Sequence, residues 1–181
     1  MISLVELLNE ETAGIDNFLQ RIIEQYPQTE NFIDKIKLFI EESNCRKIEV
    51  STFKYPAFGL ALHNGVLFNE TIFQKPLPNF LFIMFHEIAH QYQYKKYGDD
   101  KMYEFYLDEI DIKDAEDIMK QIEVVADEFA TRKIREFANL GLIPKTSISN
   151  MLANYKNVPL SYFEQFINQT RTTMKSKGIT S

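Results

Sequence analysis

The stretch from Asn79 to Tyr97 constrains the fold of this chain more than any other. Pro76 and Pro78 punctuate the backbone just before it, and Gly98 follows it. Between them Phe80-Leu81-Phe82-Ile83-Met84-Phe85 opens a strongly apolar run, so the punctuation predicts one helix from Asn79 to about Tyr97. Six apolar residues are far too few to cross a bilayer. Two histidines, His86 and His90, sit in the middle of this helix.

The rest of the chain divides around it. Leu4, Leu7, Leu8, Ile15, Phe18, Leu19, Ile22 and Ile23 recur at helical spacing, as do Phe32, Ile33, Ile36 and Ile40. They predict two helices broken near Tyr26-Pro27, with Thr29 as N-cap of the second. Ile48, Val50, Thr52 and Phe53 read as a strand, and Phe58 to His63 as another. Asn64-Gly65 then precedes Val66-Leu67-Phe68, and an Asn-Gly pair between apolar runs signals a hairpin whose two turn positions take positive φ. Beyond Gly98 comes an acidic stretch to Glu123, with ten acidic residues against three lysines, which accounts for the whole formal charge of −6. By default it is a solvated face, with attraction of a basic partner as the minority reading. A long helix is expected from about Asp114 to Leu140, stopped by Gly141, and two shorter ones from Ser147 to Lys156 and Ser161 to Met174. The fold class is α+β, mainly helical, with a small antiparallel hairpin packed on the histidine-bearing helix. At 181 residues the chain fits a single domain: N-terminal helices over 1–45, a core over 46–140 and C-terminal helices over 141–181.

An acidic chain with a pI near 5.2 is poorly suited to phosphate backbones, so direct nucleic-acid binding is not expected, and no membrane partner is either. The start, Met1-Ile2-Ser3-Leu4-Val5-Glu6, does not read as a leader, and the lone Cys45 cannot form an internal disulfide; the expected location is the cytoplasm. Cys45 itself reads as a small buried hydrophobe.

His86-Glu87-Ile88-Ala89-His90 has the form H-E-x-x-H. Residues four apart lie on one helix face, so both imidazoles can reach one ion. Glu87 leaves the helix about 100° round from His86 and is placed instead to accept a proton from water held by the metal. A catalytic zinc takes three protein ligands. The motif resembles that of the zincins, whose plans with a third histidine place it downstream; the resemblance therefore disfavours His63, which lies upstream in the hairpin, and leaves a carboxylate. Glu123 and Asp127 are four apart on the second long helix: Glu123 can ligate, and Asp127 can hydrogen-bond a ligand histidine and fix its tautomer. Glu128 or Asp127 as the ligand remains open, and so does a plain reading in which His86 and His90 are partly buried polar residues satisfied by core partners, Glu128 is a solvated helix charge and Asp127 makes an exposed i,i+4 salt bridge.

These residues resemble the gluzincin metallopeptidases, and more narrowly the ImmA/IrrE-type minimal gluzincins, which pair HExxH with a downstream E-x-x-A-N-x-F-A stretch. Glu123-Val124-Val125-Ala126-Asp127-Glu128-Phe129-Ala130 has that form, with Asp127 where asparagine is commoner. The resemblance spans about Leu60 to Arg135. It implies a zincin-like core, a Zn2+ cofactor held by His86, His90 and Glu123, Glu87 as general base, and hydrolysis of peptide bonds in a protein or peptide substrate. It also implies that substrate adds as a strand to the sheet edge, either Phe58–His63 or Val66–Asn69. Tyr94 and Tyr97, on the continuation of the metal-binding face, are candidates for stabilising an oxyanion. The alternative is a non-enzymatic zinc-containing regulatory module that docks to a partner protein. A scaffold of that kind has no use for a general base, so Glu87 discriminates between the two.

Overall fold

The computed structural model describes residues 4–52, 57–98, 102 and 112–145. The fold is α+β, with helices α1 (Leu4–Gln25), α2 (Ile33–Glu42), α3 (Leu77–Tyr97) and α4 (Ile112–Asn139) and a three-stranded sheet of β1 (Lys47–Ser51), β2 (Gly59–Leu62) and β3 (Gly65–Asn69), which α1 and α3 contact. The expected helices over 147–156 and 161–174, Phe53 and the parts of the acidic stretch over 99–101 and 103–111 lie outside the described residues; the first strand ends at Ser51, before the expected Thr52.

The break at Tyr26-Pro27 is real, but Thr29 does not cap α2. A 3-10 turn, Pro27–Phe32, intervenes, and α2 begins only at Ile33. Thr29 is fully buried, and its hydroxyl donates to the Tyr26 carbonyl at 2.7 Å, so it reinforces the first turn of the 3-10 segment. A second 3-10 turn, Glu70–Gln74, is capped by Asn69, whose side-chain oxygen accepts the Thr71 N–H, and it delivers the chain to Pro76 at the head of α3. Pro78 falls inside the first turn of α3, where its missing N–H is no loss, so the helix starts two residues earlier than Asn79. Gly98, at φ 79°, donates its N–H to the Tyr94 carbonyl and ends it. Gly141, at φ 76°, closes α4 in the same way, with its N–H on Ala138 and that of Leu142 on Phe137.

The hairpin forms, but its turn differs from the expectation. Leu62 pairs with Gly65, so His63-Asn64 make the turn, and Asn64 alone has positive φ, at 58°. Gly65 belongs to β3, where an added Cβ would come within 2.9 Å of the Lys47 carbonyl oxygen. The glycine is required by the approach of β1, which runs parallel to β3 while β2 runs antiparallel to it. The sheet is therefore mixed, in the order β1-β3-β2, and β3 is its middle strand. That removes Val66–Asn69 as an open edge and leaves β2.

Helix α3 passes through the centre of the core. Leu77, Phe80 to Phe85, Ile88 and Ala89 are all buried. Toward α1 and the sheet, Phe80 meets Phe73 and Tyr26, while Phe18 stacks on Phe68 at 5.2 Å. On the other side Phe85 meets Phe39 and Phe137 edge-on, each at 5.2 Å. Helix α4 lies along α3. Its buried Ala126, Ala130, Ile134 and Phe137 make one apolar stripe, and the two alanines let the helix axes come close.

Candidate metal centre

The close approach of α4 brings Glu123 to the histidine face of α3. Glu123 Oε2 lies 3.0 Å from His86 Nε2, Glu123 Oε1 lies 3.5 Å from His90 Nε2, and the two Nε2 atoms are 3.2 Å apart. His86, His90 and Glu123 form the one group of potential metal ligands among the described residues. His63 is outside it, at the hairpin turn with its ring edge-on to Tyr94. Glu128 is exposed. Asp127 takes a different position: its Oδ1 is 2.8 Å from His86 Nδ1.

The outer nitrogens explain what the inner ones need. Asp127 and the side-chain oxygen of Gln93, 2.7 Å from His90 Nδ1, are acceptors, so both Nδ1 atoms carry the proton. Both Nε2 lone pairs then face each other and the Glu123 carboxylate. Three acceptors turned on one point with no donor among them are satisfied by a cation. Donors around a tetrahedral zinc, each about 2.0–2.1 Å from the ion, stand about 3.3 Å apart, close to the spacing found here. The residues therefore fit a metal of that size, and the mixed nitrogen and oxygen set suits zinc among others.

Charge in the cluster follows the same geometry in the metal-free state. Burial works against a charged His86, but Glu123 and Asp127 outweigh it and raise its pKa well above 6.5. Burial likewise opposes the Glu123 carboxylate, yet the two histidines hold its pKa down to about 2.

Glu87 stands beside this group without joining it. Its side chain turns toward β2, where Gly59 has no Cβ to obstruct it: one added there would fall 2.5 Å from Glu87 Cγ. The Ala61 N–H donates to its carboxylate, and burial raises its pKa above 4.5 against the pull of the two histidines. Tyr94, the sequence candidate for an oxyanion, has its hydroxyl 3.5 Å from the Ala61 carbonyl, while Tyr97 is half exposed at the end of α3.

Three contributors were not singled out from the sequence. Gln93 holds His90 and also donates to the Ile122 carbonyl at 2.9 Å. Gln91 donates to the carbonyls of Leu62 and Gly65, clamping the hairpin to α3. Gly59 makes room for Glu87. A glycine inside a strand is a readable sign of close approach, and a glutamine three residues after a ligand histidine is on the right face.

No family model, curated protein or solved structure matches this chain.

Proposed function

We propose that the chain is a zinc-dependent metallopeptidase of the gluzincin type, cutting peptide bonds in one or a few protein partners. The observation that carries this reading is the convergence of His86, His90 and Glu123 on one point, with the Glu87 carboxylate buried beside them and outside the set. Bound there, zinc would supply Lewis acidity toward water and the scissile carbonyl. Glu87, buried beside the donors and outside their set, takes a proton from the attacking water and returns it to the leaving amine. The substrate backbone lies along β2, the sheet edge adjoining Glu87.

Recognition of an extended edge-bound segment leads us to expect little activity on generic unfolded protein such as casein. No helix among the described residues is long and apolar enough to cross a membrane. We place the activity in the cytoplasm, consistent with the single buried cysteine.

A second reading, the non-enzymatic docking module, draws on the Glu87 contact with Ala61, which a scaffold could use to tie α3 to the sheet. Glu87→Gln separates the two, because it keeps size and hydrogen bonding but removes the base. The expected outcome is zinc content and partner binding as in the parent, with hydrolysis reduced on the order of a hundredfold to ten-thousandfold. Side-by-side metal analysis, pull-down and cleavage assays measure this. If the biological effect survived in Glu87→Gln and vanished in His86→Ala, the docking module would be the right reading.

A further inference from the structure

Among the polar groups buried around the three donors, Gln93 has no part in the proposed reaction. Its exposure is 5%, and its two hydrogen bonds run in opposite directions, Nε2 to the Ile122 carbonyl and Oε1 to His90 Nδ1. A glutamine amide can be turned end for end, but a backbone carbonyl only accepts, so Ile122 requires the NH2 end to face α4. The amide oxygen is left for His90. It too only accepts, so His90 carries its proton on Nδ1, and its Nε2 lone pair points toward His86 and Glu123. A carbonyl on α4, one residue before Glu123, thus determines the tautomer of a histidine on α3.

We propose that Gln93 is a positioning residue for the metal, fixing the tautomer and ring orientation of His90 so that metal affinity depends on it. The proposal rests on the metal-binding reading above. The two histidines differ in how replaceable their outer partners are. Asp127 has a side chain 44% exposed, and water can take its place on His86. The position of Gln93 is closed to solvent, so its loss leaves a buried Nδ1–H with nothing to bind.

The test is zinc affinity, measured by chelator competition on the folded full chain for the parent, His86→Ala, Gln93→Leu and Gln93→Glu, with the thermal midpoint of each metal-stripped protein alongside. Gln93→Leu should weaken zinc by about 10–100-fold. Gln93→Glu retains an acceptor for His90 and should bind within a few-fold of the parent. A role confined to packing would instead lower the midpoint of the stripped protein and leave zinc affinity in place. Parental affinity in Gln93→Leu overturns the proposal, as does equal weakening in the two variants. Should Gln93→Leu fail to fold, Gln93→Glu decides: retained affinity supports the proposal and lost affinity overturns it. A parent chain that binds no zinc overturns both this proposal and the reading beneath it. Zinc lost in His86→Ala but unaffected in Gln93→Leu overturns this proposal alone.

Discussion

Helix α3 consists of two regions laid end to end, both buried and held in place by opposite means. From Phe80 to Phe85 its side chains are apolar and buried, and Phe80 and Phe85 meet aromatic rings of α1, α2, α4 and the second 3-10 turn. From His86 to Gln93 buried polar groups are interspersed, and their bonds are directional and individually assigned: His86 to Asp127, His90 to Gln93, Gln91 to the hairpin, Gln93 to α4. The first region needs only volume, and any well-shaped apolar neighbour satisfies it. The second is complete except at one point, where three acceptors meet, so its burial is favourable only with a cation or a proton there.

The largest effect expected from breaking one region without the other is on stability. Phe80→Ala, which empties a site where Phe18, Tyr26 and Phe73 converge, should cost about 3–5 kcal/mol in urea unfolding. Its folded fraction should still hold one zinc per chain. Glu123→Ala should do the reverse, losing zinc by metal analysis while the helices persist by circular dichroism. If Glu123→Ala kept its zinc, or folded Phe80→Ala lost it, the two ends of α3 would not be separable in this way.

What the sequence made legible follows the same division. Helical periodicity, Pro76 and Gly98 located α3 to within two residues, because apolar spacing and backbone punctuation are local properties. The i,i+4 histidines are local too, and the pairing of Glu123 with Asp127 across α4 could be anticipated from spacing and resemblance. Partnerships made across elements were not legible. Nothing near Gln93 in sequence indicates that Ile122 will stand 2.9 Å away, and nothing near Gly65 indicates that β1 will lie against it. The Asn-Gly pair found the hairpin, yet its glycine answers to a strand eighteen residues upstream rather than to the turn. Thr29 looked like a cap, but its hydroxyl donates to the carbonyl three residues earlier, a local alternative open to any threonine in a turn.

A smaller effect, on chemistry alone, should follow from Gly59→Ala. The new methyl would displace Glu87, the nearest side chain, and none of the three converging donors is among the atoms it meets. We expect parental zinc content and hydrolysis reduced about a hundredfold, the penalty of misplacing a reacting group by roughly an ångström. Parental hydrolysis by the Gly59→Ala protein would mean that the position of Glu87 is not what the glycine protects.

The smallest effect sharpens the comparison, because only the polar region of α3 should respond to pH, and only without its metal. In chelator-stripped protein, Glu123 has its pKa held down to about 2, despite its burial, by His90 and His86. Its contribution to stability is full above its ordinary 4.5 and is lost as the pH falls toward 2. His86 has the opposite sign: its folded pKa is raised, against its burial, by Glu123 and Asp127, so its contribution is full below its ordinary 6.5 and is lost as the pH rises through the raised value. Glu87, raised by burial, adds to that alkaline loss as it ionises above its ordinary 4.5. Stripped protein should therefore be most stable between about pH 4.5 and 6.5 and decline on either side. Zinc bound there would take the place of the proton between the donors, so the stabilisation it brings should grow as the pH rises from about 6 to about 8. Thermal midpoints with zinc and with chelator across that range measure the difference. A stripped protein that gained stability steadily up to pH about 8 would show that the three donors are not competing for one cation.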